Sequence, residues 1–210
     1  KSQLEDKIYL ISFLIISILL AFLVLKNFNQ NVLINTILIS SALYLFFMTL
    51  RDFFVKKYKN ISQNIAHFGF SLLILSILFN SIFSNEIITN LKVGESYKND
   101  DLEIVFSDLT RENKKNYVSL TGIFFIKEKN FDNILKPELR IYNQPKIITS
   151  EADIKVTFLK DNFITINNVK NEDHFNVRYL IKPYMLWIWV SVLLITIGGL
   201  MSLFNKKYEK

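Results

Sequence analysis

The sequence predicts a membrane protein, mainly α-helical, with four transmembrane helices and a small all-β domain, barrel- or sandwich-like, on the extracytoplasmic side between helices 3 and 4. Two observations lead to this class. Half of the 210 residues are hydrophobic and the mean hydropathy is +0.25, which is high for a soluble domain of this length. The apolar residues also concentrate in four long runs, and a segment of alternating apolar and polar residues separates the third run from the fourth.

Each apolar run is long enough to cross a bilayer as a helix. The first three runs predict helices over about 8–25, 32–50 and 64–83, and the fourth extends from Tyr184 to Phe204. Runs of about 18 to 21 uncharged residues span the hydrocarbon layer at the helical rise of 1.5 Å per residue. A helix in the core of a soluble protein would show a polar face, and these runs do not. We expect three transmembrane helices in 1–83 and a fourth, followed by a basic cytoplasmic tail, in 184–210.

The distribution of lysine and arginine predicts the orientation. Four positive charges and one negative charge lie within Arg51–Lys59, between helices 2 and 3, and both ends of the chain carry further lysines. By the positive-inside rule, both termini lie in the cytoplasm and residues 84–183 lie in the periplasm. We expect the protein in the bacterial inner (cytoplasmic) membrane, with the mitochondrial inner membrane as the alternative.

The net charge of +6 is interpreted as a topology signal. Residues 84–183 contain fifteen positive and fifteen negative side chains, so the whole excess arises outside this segment. The lipid bilayer is therefore an expected partner and nucleic acid is not.

The segment 84–183 has the pattern of a β-rich domain. Its short runs alternate apolar and polar residues, are rich in β-branched and aromatic side chains, and are separated by polar turns. Pro137 and Pro145 bracket the third run, which favours an edge position for that strand. The predicted strands are 102–106, 117–126, 138–142, 154–159, 163–166 and 175–181.

Few residues in the sequence are suited to chemistry. There is no cysteine, which excludes disulfides, thiolate metal sites and a cysteine nucleophile. There is also no glycine-rich phosphate loop and no nucleophile–base motif. The catalytic residues therefore remain unassigned, and attention falls on the two histidines, His67 and His174.

His67 is the stronger candidate, because an ionisable side chain inside a membrane span is a functional hypothesis by default. Imidazole is a common ligand of haem iron. Ala66 and Gly69 are small enough to let a flat macrocycle or another helix approach. The alternative is a structural histidine that hydrogen-bonds a neighbouring helix or reaches the interface. His174 lies in a polar turn, where an exposed side chain is expected, and receives no role.

Other polar and small residues have structural interpretations. Gly198 and Gly199 with Ser202 have the spacing of a helix-packing surface. Glu138, Arg140 and Glu151 lie near predicted strand ends, where surface ion pairs account for them.

Four segments in order carry a family resemblance. They are Asn-Ile-Ala-His-Phe-Gly at 64–69, Lys-Pro-Glu-Leu-Arg-Ile-Tyr at 136–142, Thr-Ser-Glu-Ala at 149–152, and Lys-Pro-Tyr-Met-Leu-Trp-Ile-Trp at 182–189. Together with the predicted topology, they resemble the C-terminal part of the CcmF family, the haem lyase subunit of cytochrome c maturation system I. The resemblance runs from about Leu43 to Tyr208.

The resemblance implies a protein that handles haem at the outer membrane face and helps to attach it to apocytochrome c through thioether bonds. It implies that His67 is an axial ligand of a b-type haem (haem b) and so binds the haem iron. The second axial ligand is expected from the N-terminal part of the family, or from another chain. The family's other haem-ligating histidines and its Trp-rich segment belong to that part. For Glu138, Arg140 and Glu151 the resemblance supplies no role.

The chain is accordingly expected to be part of a haem lyase (holocytochrome c synthase) and not a complete enzyme by itself. Since it begins with Lys, we expect a C-terminal fragment or one subunit of a split protein. Its implied partners are the N-terminal half of CcmF or an equivalent subunit, a haem chaperone, thiol-handling subunits and apocytochrome c.

Two alternatives remain at this point. One is a non-catalytic membrane anchor or assembly subunit that presents a β-domain to a partner. The other is the haem-handling assembly of system II, although the ordered segments favour system I.

Overall fold

A computed structural model of the chain describes residues 2–26, 32–55, 61–99, 102–128, 131–168 and 173–204. The chain divides into two compact units. One consists of residues 1–83 with 184–210, and the other of residues 84–183. The described part of the first unit is helical, and the second unit is built from β-strands.

The helical unit contains α1 (Ser2–Leu25), α2 (Val32–Val55), α3 (Ile61–Phe83) and α4 (Met185–Phe204). Each is long and apolar enough to cross a membrane, α1 over Lys7–Leu25. The prediction of four apolar helices is therefore confirmed. The bounds of α1, α2 and α3 differ from the expected ones, and α1 begins at Ser2 and not at residue 8. α2 continues past Leu50 to Val55, and α3 begins at Ile61 and not at residue 64, because charged and polar residues at a span's end can still form helical turns.

Contacts in the helical unit combine apolar and hydroxyl side chains. Ala21 and Leu25 of α1 are fully buried with Ile39 of α2. The hydroxyls of Thr49 in α2 and Ser71 in α3 are 2.8 Å apart and share a hydrogen bond. Such a bond satisfies two polar groups that the bilayer could not. The basic segments 56–60 and 205–210, which support the orientation prediction, lie outside the described residues.

The β unit is a sandwich of two antiparallel sheets. One sheet has the strand order β1-β10-β9-β8, and the other has the order β2-β3-β4-β6-β7, with β5 also paired to β4. Two strands pair with the long strand β4 along the same edge. Its first half pairs with β6 and its second half with β5. The strands are β1 (Asn85–Leu91), β2 (Ser96–Lys98), β3 (Leu102–Asn113), β4 (Tyr117–Glu128), β5 (Phe131–Leu135), β6 (Glu138–Asn143), β7 (Lys146–Glu151), β8 (Asp153–Val156), β9 (Lys160–Asn168) and β10 (Phe175–Pro183).

The sandwich core follows from alternation along the strands. In β3, Leu102, Ile104 and Phe106 are buried while their neighbours are more exposed. Phe106 stacks on Phe124 of β4 with ring centroids 4.4 Å apart. A side chain at Gly122 would meet the Phe124 ring at 2.6 Å, so only glycine leaves room for this aromatic pair. The core thus joins both sheets through inward-facing aliphatic and aromatic residues.

The strand prediction was incomplete. β1, β2, β5 and β7 were not expected, and the run predicted over 154–159 forms β8 and the following turn. The expected edge position of the strand between Pro137 and Pro145 was wrong, because β6 pairs with β4 on one side and β7 on the other. Both prolines lie just outside β6, so neither removes a donor from its ladders.

Candidate functional site

His67 lies in the second turn of α3 on the exposed side of the helix. Gln63, Phe70 and Ile77 are also exposed and share its face, since their spacing of three, four and seven residues follows the helical repeat. Within the described residues, no side chain hydrogen-bonds the His67 imidazole. The ring is therefore accessible from outside the described helices.

The polarity of α3 makes this position unusual. The buried face of the helix carries mostly small or polar residues, whereas Phe70 and Ile77, on the exposed face beyond His67, are large and apolar. A helix surrounded by lipid is expected to point its polar groups inward. His67 reverses that arrangement, which favours a partner outside the described helices over a structural hydrogen bond to one of them. The buried residues of α3 are Ser62, Asn64, Gly69, Ser71, Leu75 and Ser76.

The small residues beside His67 pack against α4. A Cβ on Gly69 would lie 2.9 Å from the Leu194 Cβ and 3.0 Å from the Ser191 carbonyl oxygen. A Cβ on Gly198 would lie 2.7 Å from the backbone nitrogen of Ala66. Ala66 and Gly69 therefore allow α4 to pack closely against α3. This contact orients α3 so that His67 lies on a different side of the helix from α4. Gly198 fulfils the expected packing role, while Gly199 faces open space.

The described residues contain no group of three or more His, Asp or Glu side chains arranged to hold a metal ion. His67 therefore belongs to no such group among the described residues. His174 does not occupy the exposed position expected for it. It is half-buried at the start of β10, next to Phe175, whose ring packs against Phe106 at 5.7 Å.

The segments 136–142 and 149–152 meet on the outer face of one sheet. Arg140 Nε donates to Glu138 Oε2 at 2.9 Å, and its Nη1 lies 3.8 Å from Glu151 Oε1. The hydrogen bond that Arg140 donates to Glu138 raises the pKa of Arg140, and the guanidinium also lies 5.4 Å from the centroid of the Tyr117 ring. These contacts agree with the expected surface ion pairs and indicate no catalytic arrangement.

A second polar cluster, centred on Glu128, was missed from the sequence. The Tyr179 hydroxyl donates a hydrogen bond to Glu128 Oε1 at 3.0 Å, and Lys160 forms an ion pair with Glu128 Oε2. Burial, followed by the nearby Glu128 charge, raises the pKa of Tyr179. A pocket of about 400 Å³ opens beside Glu128 and Lys160. The available signal was Tyr179 at an inward position of β10, because a buried phenol needs a polar partner.

Comparison with known proteins matches this architecture to one family. The family model described as the CcmF C-terminal beta-sandwich matches residues 82–183. The cytochrome c-type biogenesis protein CcmF of Haemophilus influenzae is 28% identical over 146 residues, covering 69% of this chain and 22% of the relative. CcmF of Escherichia coli K12 is 28% identical over 148 residues, covering 69% of this chain and 23% of the relative.

A solved structure of a cytochrome c haem lyase CcmF has the same fold. It aligns with a TM-score of 0.70 and 13% sequence identity, over 95% of this chain and 34% of the other. The chain spans under a quarter of the length of the Haemophilus influenzae and Escherichia coli relatives. These matches confirm the resemblance to the C-terminal part of CcmF, and residues 82–183 match the model of that family's C-terminal β-sandwich.

Proposed function

We propose that this chain forms the C-terminal part of a haem lyase of cytochrome c biogenesis and that His67 supplies one axial ligand of a membrane b-type haem. The observation that carries the proposal is the accessible imidazole of His67 on the exposed face of α3. The matched relatives, which are named as a cytochrome c-type biogenesis protein and a cytochrome c haem lyase, support it.

The residues around His67 fit such a group. A ligand imidazole needs a nitrogen that is open to the iron, and within the described residues no hydrogen bond occupies this ring. Phe70 and Ile77 present apolar side chains on the same face, which suits contact with a macrocycle. The close contact of Ala66 and Gly69 with α4 fixes the rotation of α3 and so aims the imidazole outward.

This arrangement suggests a separate role for each part of the assembly. A bound b-haem would carry electrons that keep the substrate haem iron reduced. His67 would hold that haem from one side, and a second ligand would come from the N-terminal part of the protein or from another chain. We propose that both termini are cytoplasmic and that the sandwich lies in the periplasm of a bacterium. There it would lie near a haem chaperone, thiol-handling subunits and apocytochrome c.

The test uses the assembled protein that contains this chain, purified from membranes. We expect His67→Ala to remove the reduced b-type absorption bands and to lower haem content per assembly. His174→Ala is the matched control, because His174 lies in the β unit, and it should leave the spectrum unchanged. A His67→Ala assembly of normal yield with an unchanged spectrum would contradict the ligand role and leave the anchor hypothesis in its place.

A further inference from the structure

The turn between β8 and β9 exposes large apolar side chains. Val156, Phe158 and Leu159 are 55%, 64% and 57% exposed. The turn is closed by Thr157 and Lys160, because the Thr157 N–H donates to the Lys160 carbonyl at 3.1 Å. Phe158 and Leu159 therefore occupy the two corner positions, where two-residue hairpins favour Asn, Asp or Gly. We call Val156–Lys160 the apolar hairpin tip.

The apolar hairpin tip lies at one particular end of the sandwich. Lys160 pairs with Pro183, the last residue of β10, and α4 begins only two residues later at Met185. Asn85, the first residue of β1, pairs with Ile181 on the other side of β10. Both connections to the helices therefore leave from this end, which we call the exit end.

We propose that the apolar hairpin tip inserts into the interfacial layer of the lipid bilayer and anchors the sandwich to the membrane surface. Chain connectivity supports lipid as the occupant, because α3 and α4 are membrane-span candidates and both join the sandwich at the exit end. Paired strands are about 4.8 Å apart, so the hairpin tip lies beside Pro183, where the chain leaves the sandwich.

The surrounding residues have the chemistry of an interfacial anchor. Tyr184 and Trp187, at the entry to α4, are aromatic residues of the kind enriched at the headgroup level. Lys155 on β8 is exposed and Lys182 on β10 is half-buried, so two cations border the tip where they can meet anionic headgroups. The apolar corner residues would be unfavourable in water and are favourable at this interface.

Ile148 provides a matched control at the other end of the sandwich. It is 61% exposed and pairs with Ile141, which pairs with Val118 of β4. Val118 is ten residues from Glu128, the β4 residue that contacts Lys160 at the exit end. At the rise of a β-strand, ten residues of β4 span roughly 33 Å, so Ile148 lies toward the opposite end of the sandwich from the apolar hairpin tip. It shares exposure and hydrophobicity with the tip but not its location.

The test takes advantage of the absence of cysteine from the sequence. Phe158→Cys, Leu159→Cys and Ile148→Cys are each introduced into the full chain, spin-labelled, and reconstituted in nanodiscs of neutral and anionic phospholipid. Collision rates are measured with oxygen, which partitions into lipid, and with a water-soluble nickel chelate. We expect the oxygen-to-nickel ratio to be several-fold higher at 158 and 159 than at 148.

Two results would overturn the proposal. Equal ratios at the three positions would place the tip in water. Low collision rates with both reagents at 158 and 159 would show that protein covers the tip. In each case the absorption test of His67 is unaffected, so the two proposals fail independently.

Discussion

The helical unit and the β-sandwich bury opposite kinds of surface. The sandwich encloses a cluster of aliphatic and aromatic side chains and turns most of its charged residues outward. In α3 the buried positions are mostly small or polar, and large apolar residues such as Phe70 and Ile77 face outward. The sandwich is therefore organised as in a protein surrounded by water, and the helices as in one surrounded by lipid. The difference explains why an outward-facing histidine is ordinary on the sandwich and exceptional on α3.

The largest effect is expected in the sandwich core. Phe124→Ala removes the ring stacked on Phe106 and should lower the free energy of unfolding by about 3–5 kcal/mol. Phe125→Ala, one residue along β4 on the exposed side, should cost far less. The measurement is denaturant unfolding of the full chain in detergent, followed by near-ultraviolet circular dichroism. Equal losses for the two variants would mean that the alternation of β4 does not define the core.

The corresponding test of the helices uses adjacent glycines. A Cβ at Gly198 would contact the α3 backbone at 2.7 Å, whereas at Gly199 nothing lies within 4 Å. Gly198→Ala should therefore destabilise the contact between α3 and α4 by about 1–3 kcal/mol through overpacking. Gly199→Ala should be neutral or slightly stabilising. Thermal unfolding of both variants in the same detergent measures the difference. A larger loss of stability for Gly199→Ala than for Gly198→Ala would contradict the close contact of Gly198 with α3.

A smaller, pH-dependent effect is expected at Asp161. Its side chain is 6% exposed, Oδ1 has no hydrogen-bond partner among the described residues, and burial raises its pKa above the usual 3.8. The charged form is thus disfavoured in the fold, so the contribution of this carboxyl group to stability is largest below pH 3.8 and declines as the pH rises through its folded pKa.

Asp161→Asn should consequently stabilise the sandwich by about 1 kcal/mol at pH 7, with the gain disappearing toward acidic pH. Asp132→Asn, on an exposed position of β5, is the control. Unfolding titrations at several pH values give the comparison, and a pH-independent difference would exclude the carboxylate as its source.

The smallest effect is expected on the outer face of the sheet. Arg140 bridges Glu138 and Glu151, but all three side chains are about a third exposed or more. Exposed ion pairs contribute little to stability, so Arg140→Ala should leave the unfolding midpoint almost unchanged. A larger loss, measured by the same denaturant titration, would show that this cluster is structurally important in a way its exposure does not suggest.

The sequence predicted the helices better than the strands for a physical reason. A run of about 20 apolar residues is sufficient evidence for a span. Strands such as β1 and β7 are short, largely exposed and rich in polar residues, so their alternation is weak. Partner strands are also decided by distant residues. That is why the edge position inferred from Pro137 and Pro145 was wrong although both prolines border β6.

The candidate site was predictable only in part. His67 stood out as an ionisable residue within a span, but its outward orientation depends on which face α4 covers, and that is a tertiary contact. Tyr179 at an inward position signals a polar partner, but the sequence does not identify that partner, because the members of the Glu128 cluster come from β4, β9 and β10. The spacing of residues along the chain does not show which side chains of distant strands come into contact.

The most direct test of the account is chemical rescue at His67. The His67→Gly assembly should lose its b-type absorption bands and regain them when imidazole is added, because the free ligand can enter the space left by the side chain. The His174→Gly assembly should keep its b-type absorption bands, and added imidazole should not alter them. Full b-type absorption in His67→Gly without imidazole would contradict the claim that α3 presents a haem ligand.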